Sequence, residues 1–145
     1  MSRVEKFLTP EEEQEIIQSI LKAESQTSGE IRVHLESHTR LDHFNRAKEV
    51  FHLLKMDNTK DENGVLIYVA VNDRKFAIIG DKGIDKVVPD NFWNSTKNSI
   101  QKQFEKGNFK QGIIDGVLSA GKELQNHFPW QHGDENELSD EISKA

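Results

Sequence analysis

Apolar residues along this chain recur in two periods, and the switches between them mark the elements. Ile16, Ile17, Ile20 and Leu21 form one helical stripe behind Thr9-Pro10-Glu11-Glu12. Thr9 can cap that helix, Pro10 suits its first turn, and Glu12 stands where a capping box needs it. Glu30 to Ser37 then alternates Ile31, Val33 and Leu35 with Arg32, His34 and Glu36, as a half-buried strand does. Helical spacing returns from Leu41 to Met56 through Phe44, Ala47, Phe51 and Leu54. Val65 to Val71 is almost continuously apolar, the mark of a strand buried on both faces. Asn72-Asp73 reads as a two-residue hairpin turn, and Arg74 to Ile79 as the returning strand.

Gly80 to Pro89 reads as a loop with room for a short helical turn. Asp90 is expected to cap a helix carrying Trp93, Ile100 and Phe104, which Gly107 breaks. A last helix runs from about Phe109 to His127, with Ile113, Val117, Ala120 and Leu124 on one face. Gly112, Gly116 and Gly121 each cost that helix ~1 kcal/mol against Ala, so close packing on the sheet is their expected reason. The order α-β-α-β-β-α-α predicts an α/β fold, a three-layer α/β/α sandwich around a small mixed central sheet of about four strands. The apolar pattern stops after Trp130. Residues 1–130 are therefore expected to form one domain, and 131–145 an acidic, disordered tail.

Composition narrows the function classes. With 145 residues the chain can bury a core of its own. Without Cys it has neither disulfides nor thiolate zinc ligands. A net charge of −6 argues against a nucleic-acid partner, which needs a clustered basic surface. The stretch from Lys97 to Lys110 is interrupted by Glu105 and reads as a solvated helix face. No run approaches the ~18 apolar residues of a membrane span. Met1 to Lys6 lacks the apolar core of a signal peptide, so a soluble, cytoplasmic chain is expected.

The candidate chemistry lies in two polar loops. If the two apolar strands pair, the loop entering the first and the loop leaving the second fall at the same end of the hairpin. The first loop offers Asp57, Asn58, Asp61, Glu62 and Asn63, and the second Asp81, Asp85 and Asp90. Hard cations take about six to eight oxygens, mostly from carboxylates, amides and backbone carbonyls. Left uncompensated, close carboxylates repel by ~1 kcal/mol or more per pair. The same acids also serve as turn formers and helix caps. An EF-hand is excluded: with Thr59 first, the loop lacks its leading carboxylate and ends on Ala70. The six histidines show no HExxH pair, and neither a G-x-S-x-G elbow nor a Walker loop is present. Phe92, Trp93, Phe128 and Trp130 are read as core or as a fastening of the C-terminus, with a protein-partner anchor as the other reading.

Three blocks in order carry a family resemblance. They are Thr59 to Val69, Asp73 to Ile84, and Val88-Pro89-Asp90-Asn91-Phe92-Trp93, followed by Phe104, Gly107, Phe109 and Gly112. Together they resemble the TPM domain, over roughly Thr9 to Phe128. The resemblance implies an α/β/α sandwich with a pair of crossing loops that bind divalent metal, calcium in particular. It also implies that a phosphatase role belongs to some plant members. Many members carry a signal peptide and a membrane helix, so this chain is expected to be a stand-alone, soluble domain. It departs from the family at Asp85, where Glu is usual. The expected ligands are Asp61 and Asp81 first, then Asp90, Asn63, Glu62 and Asp85, holding one or two Ca2+ ions, with Mg2+ or Mn2+ as alternatives. The expected function is a metal-binding regulatory or adaptor domain with an unidentified protein partner. The alternatives are a metal-dependent phosphatase and a metal-free interaction domain.

Overall fold

The computed structural model describes residues 7–130 and 138–145. The chain runs α1 (Pro10–Glu24), β1 (Glu30–Glu36), α2 (His43–Leu53), β2 (Gly64–Ala70), β3 (Lys75–Gly80), the short α3 (Lys82–Asp85), α4 (Asn94–Glu105), α5 (Phe109–Gln125) and β4 (Ser143–Lys144). The sheet order is β3-β2-β1-β4, with β1 parallel to β2 and β4, and β3 antiparallel to β2. This is the expected mixed four-stranded sheet.

Pleat and helix stripe decide the layers. Ile31, Val33, Leu35, Val65, Ile67, Val69 and Ile78 point to one face, where Ile16, Ile20, Ile100, Ile113, Val117 and Leu124 cover them. Leu66, Tyr68, Ala70, Ala77 and Ile79 point to the other face, under Ala47, Val50 and Phe51 of α2. β2 is buried along its whole length because both faces are covered, as its continuous apolar run implied. At the start of α1 the capping box forms: Thr9 Oγ1 accepts from Glu12 N–H at 3.1 Å, and Glu12 Oε1 accepts from Thr9 N–H at 3.0 Å.

Four expectations are corrected. The β2–β3 connection is a four-residue loop, since Ala70 pairs with Lys75. Val71 and Asn72 still donate to the Glu36 and Ser37 carbonyls, so β2 stays tied to β1 beyond its end and the reversal is pushed to Arg74, at φ 52°. Asp90 does not cap α4: Trp93 holds the N-cap position without a side-chain bond, because turns from Pro89 and Asn91 intervene. The glycines of α5 meet mainly helices. A Cβ on Gly112, Gly116 or Gly121 would stand closer than 3.0 Å to Phe104, Ile100 or Ala23, respectively.

The fourth correction concerns the acidic tail. Its residues 131–137 lie outside the described residues. From Leu138 onward the segment packs along β1: His34 pairs with Ser143, Leu35 with Lys144, and Ala145 N–H donates to the Leu35 carbonyl. Ile142 lies against the main core, and Lys144 pairs with Glu13 of α1. Its alternation of Leu138 and Ile142 with acids is too sparse to reveal a strand, and the pairing is supplied by the open edge of β1. The end of α5 is fastened as well, since Phe128 O accepts from Ser28 N–H and Thr27 Oγ1.

Candidate metal centre

Pairing of Val65 with Gly80 brings the two polar loops to one end of the hairpin. Asp81 N–H donates to Gly64 O and Gly83 N–H to Glu62 O, each at 2.9 Å. The crossing is tight at Gly83, where a Cβ would come closer than 3.0 Å to the carbonyl oxygens of Asp61 and Glu62. Glycine is therefore required there by close approach of backbone to backbone. Glu62 turns the first loop in the left-handed region, at φ 51°.

Asp81 is the centre of the arrangement and is only 6% exposed. Its Oδ1 accepts from Lys82 N–H at 2.8 Å, opening α3. Its Oδ2 is buried with no hydrogen-bond partner among the described residues. Thr59 Oγ1, buried on the first loop, is likewise without one. Asp85 follows Asp81 by one helical turn. Its carboxyl is pushed above the usual carboxylate range, first by loss of solvent and then by the charge of Asp81.

The other predicted ligands are placed differently. Asp61 is exposed and brings its backbone carbonyl, rather than its carboxylate, to the crossing. Glu62 is paired with Lys82 Nζ at 2.8 Å. Asn63 is 2% exposed and donates to Ser28 Oγ at 3.4 Å, while its carbonyl accepts from Glu30 N–H, so it serves the junction with β1. Asp90 lies with Asp85, Pro89 and Trp93 around a neighbouring cleft of about 330 Å3. Asp57 is held by His52 Nδ1 at 3.0 Å, which lowers its pKa. Among the described residues no three His, Cys, Asp or Glu side chains converge as a metal cage. A cation at the crossing would therefore draw on the Asp81 and Asp85 carboxylates, the Thr59 hydroxyl, loop carbonyls and water. That oxygen set suits a hard ion.

Thr59 and Gly83 were missed as candidates. A hydroxyl carries no charge signal, and the glycine matters through the space it leaves.

A second polar cluster lies between the sheet and α2. Glu36 accepts from Arg46 Nε at 2.9 Å, from Arg46 Nη2 at 3.0 Å and from the Tyr68 hydroxyl. His34 reaches Glu36 through Nε2 at 3.4 Å and Ser143 Oγ through Nδ1 at 2.9 Å. Ser143, His34 and Glu36 thus stand in serine–histidine–acid order. With its carboxylate taken up by Arg46 and Tyr68, however, Glu36 anchors α2 to the sheet. Arg46 holds the Glu36 carboxyl below its ordinary pKa against the effect of burial, and burial pushes the His34 imidazole down.

Comparison with known proteins supports the same fold. A family model described as the TPM domain matches residues 2–123. The NMR structure of the BA42 protein from the psychrophilic bacterium Bizionia argentinensis is 59% identical, with a TM-score of 0.93 and full coverage, 100% of each chain. The N-terminal domain of a P. gingivalis protein aligns at 20% identity and a TM-score of 0.69, over 87% of this chain and 83% of that one. The N-terminal domain of the cg2496 protein from Corynebacterium glutamicum aligns at 11% identity and 0.65, over 95% and 81%. At such low identity the last two speak to the fold alone. No functionally curated protein matches the chain. No helix among the described residues is long and apolar enough to cross a membrane.

Proposed function

The chain belongs to the TPM domain family, and from that premise we propose that it is a divalent-cation-binding regulatory or adaptor domain. The ion, Ca2+ first, is held where the two loops cross. The carrying observation is Asp81 Oδ2, a buried carboxylate oxygen with no hydrogen-bond partner among the described residues. Leaving such a group unsatisfied costs about 1–3 kcal/mol or more, and a cation offsets that cost. It also offsets the loss of solvent and the charge of Asp81 that together raise the Asp85 pKa. Among the described residues the loops are joined by backbone hydrogen bonds and by the Glu62–Lys82 pair. An ion bridging them stiffens the crossing and alters the surface offered to a protein partner, a local charge event with a wider readout.

The test is a Ca2+ titration of chelator-treated protein followed by amide NMR, with Mg2+ as comparator. Shifts centred on residues 59–63 and 80–86 are expected, and Asp81→Asn abolishes them while the rest of the spectrum is retained. If neither ion moves these amides, the reading is wrong and the acids are turn formers. If a phosphate ester is turned over with Mg2+ and the activity vanishes in Asp81→Ala, the site is a catalyst.

A further inference from the structure

The groove along the outer edge of β3 is built from three elements. β3 is terminal in the sheet, and among the described residues no strand pairs with its outer edge. Lys75, Ala77 and their neighbours form the floor of a groove of about 440 Å3. One wall is the start of α2, through His43 and Phe44, and the other is α4, through Lys97 and Gln101. The walls come from opposite faces of the sheet, so the strand edge lies recessed between two helices. A segment entering there meets unpaired backbone first and side chains on either hand, the geometry in which an extended peptide adds to a sheet.

The charge of the groove runs against that of the molecule. The chain carries a net charge of −6, yet the lining includes Arg74, Lys75 and Lys97 and no carboxylate. Lys48 adds a cation over the half-exposed Phe44 ring, at 4.7 Å. Acids stand at its border rather than in its lining: Asp42 caps α2 through Asn45 N–H and lies 3.7 Å from His43, Glu105 accepts from Gln101, and Asp73 accepts from Thr39 N–H. Phe44 and Phe76 add apolar surface to the same lining. An occupant matching this lining is extended and alternates acidic with apolar side chains.

We propose that the β3 edge receives an acidic, extended segment of a partner protein as an additional strand. It would do so independently of any ion at the loop crossing. The probe is a labelled ten-residue peptide alternating glutamate and valine, titrated into the isotope-labelled protein. Amide shifts are expected at residues 74–78, at 43–44 and at 97–101. Lys75→Glu combined with Lys97→Glu should weaken binding at least tenfold while the spectrum outside the groove is unchanged. Raising the salt should weaken binding in the wild type. Two controls can overturn the proposal. A peptide N-methylated at alternate backbone amides that binds equally well shows that no strand is added. Sodium glutamate or inorganic phosphate that reproduces the shifts at matched charge shows a small-anion site. The proposal also falls if the groove amides stay still, and the cations then serve only to keep other strands off an exposed edge.

Discussion

At the scale of single residues, Gly83 and Asp81 show two ways in which a loop position becomes constrained. Gly83 is defined by what cannot be there, because a methyl group would press into the carbonyls of the opposing loop. Since backbone rather than a flexible side chain stands in the way, relief requires the loops to part. Gly83→Ala is expected to lower stability by about 1–3 kcal/mol, the range for overpacking a tight site. Urea denaturation measures it, and an unchanged midpoint would show that the loops slide freely past each other. Asp81 was legible in the sequence as an acid beside glycines. Its importance over Asp61 was not, because exposure separates them: Asp81 is buried by Gly64 and α3, while Asp61 faces solvent. Charge type is written in the sequence, but the burial that gives a charge its energetic weight is set by which loop folds beneath which.

At the scale of elements, periodicity was a dependable guide wherever an element buries a face. α1, β1, β2 and α5 fall close to their predicted spans for that reason. Local chemistry misled where a long-range partner outweighed it. Asn72-Asp73 resembles a tight turn, yet β1 keeps hold of the Val71 and Asn72 amides and delays the reversal. Glu24 shows the same dominance of tertiary context. At the end of α1 its Oε2 accepts from Ile31 N–H at 2.9 Å, on the β1 edge beyond the reach of β4. Burial, a hydrogen bond that its protonated carboxyl donates to Asp140, and the charges of Asp140 and Glu30 push its pKa up to about 9. A carboxyl whose folded pKa exceeds its unfolded value contributes stability that is complete below the unfolded pKa and is lost as pH rises through the folded one. The junction of α1, β1 and the C-terminal segment therefore weakens between about pH 4.5 and 9. Glu24→Gln keeps an acceptor for Ile31 and removes the titration. It is expected to raise stability by about 1–2 kcal/mol at pH 8.5 and to change little at pH 4.5. Thermal unfolding at the two pH values checks this, and an equal effect at both would exclude a proton on Glu24.

At the scale of the whole molecule, the sheet has two dissimilar flanks. One is β3, bordered by helices and cations. The other is the β1 edge, covered among the described residues by the brief β4, its flanking residues and the Glu24 side chain. The hairpin of β2 and β3 closes a short loop, whereas His34 and Ser143 meet across 109 positions of sequence. Closing a long loop carries an entropic cost that grows with its length, and here two paired residues, Ile142 and a few side-chain bonds must offset it. Opening of this flank is thus expected to cost less than the global transition. In deuterated solvent, the Ala145 amide should exchange fastest among the sheet-bonded amides, while the β2 amides bonded to β1 persist longest. Equal protection at both would mean that the molecule opens only as a unit. If the order holds, every opening of this flank briefly presents β1 as raw sheet edge, so the last few residues act as a gatekeeper against pairing between molecules.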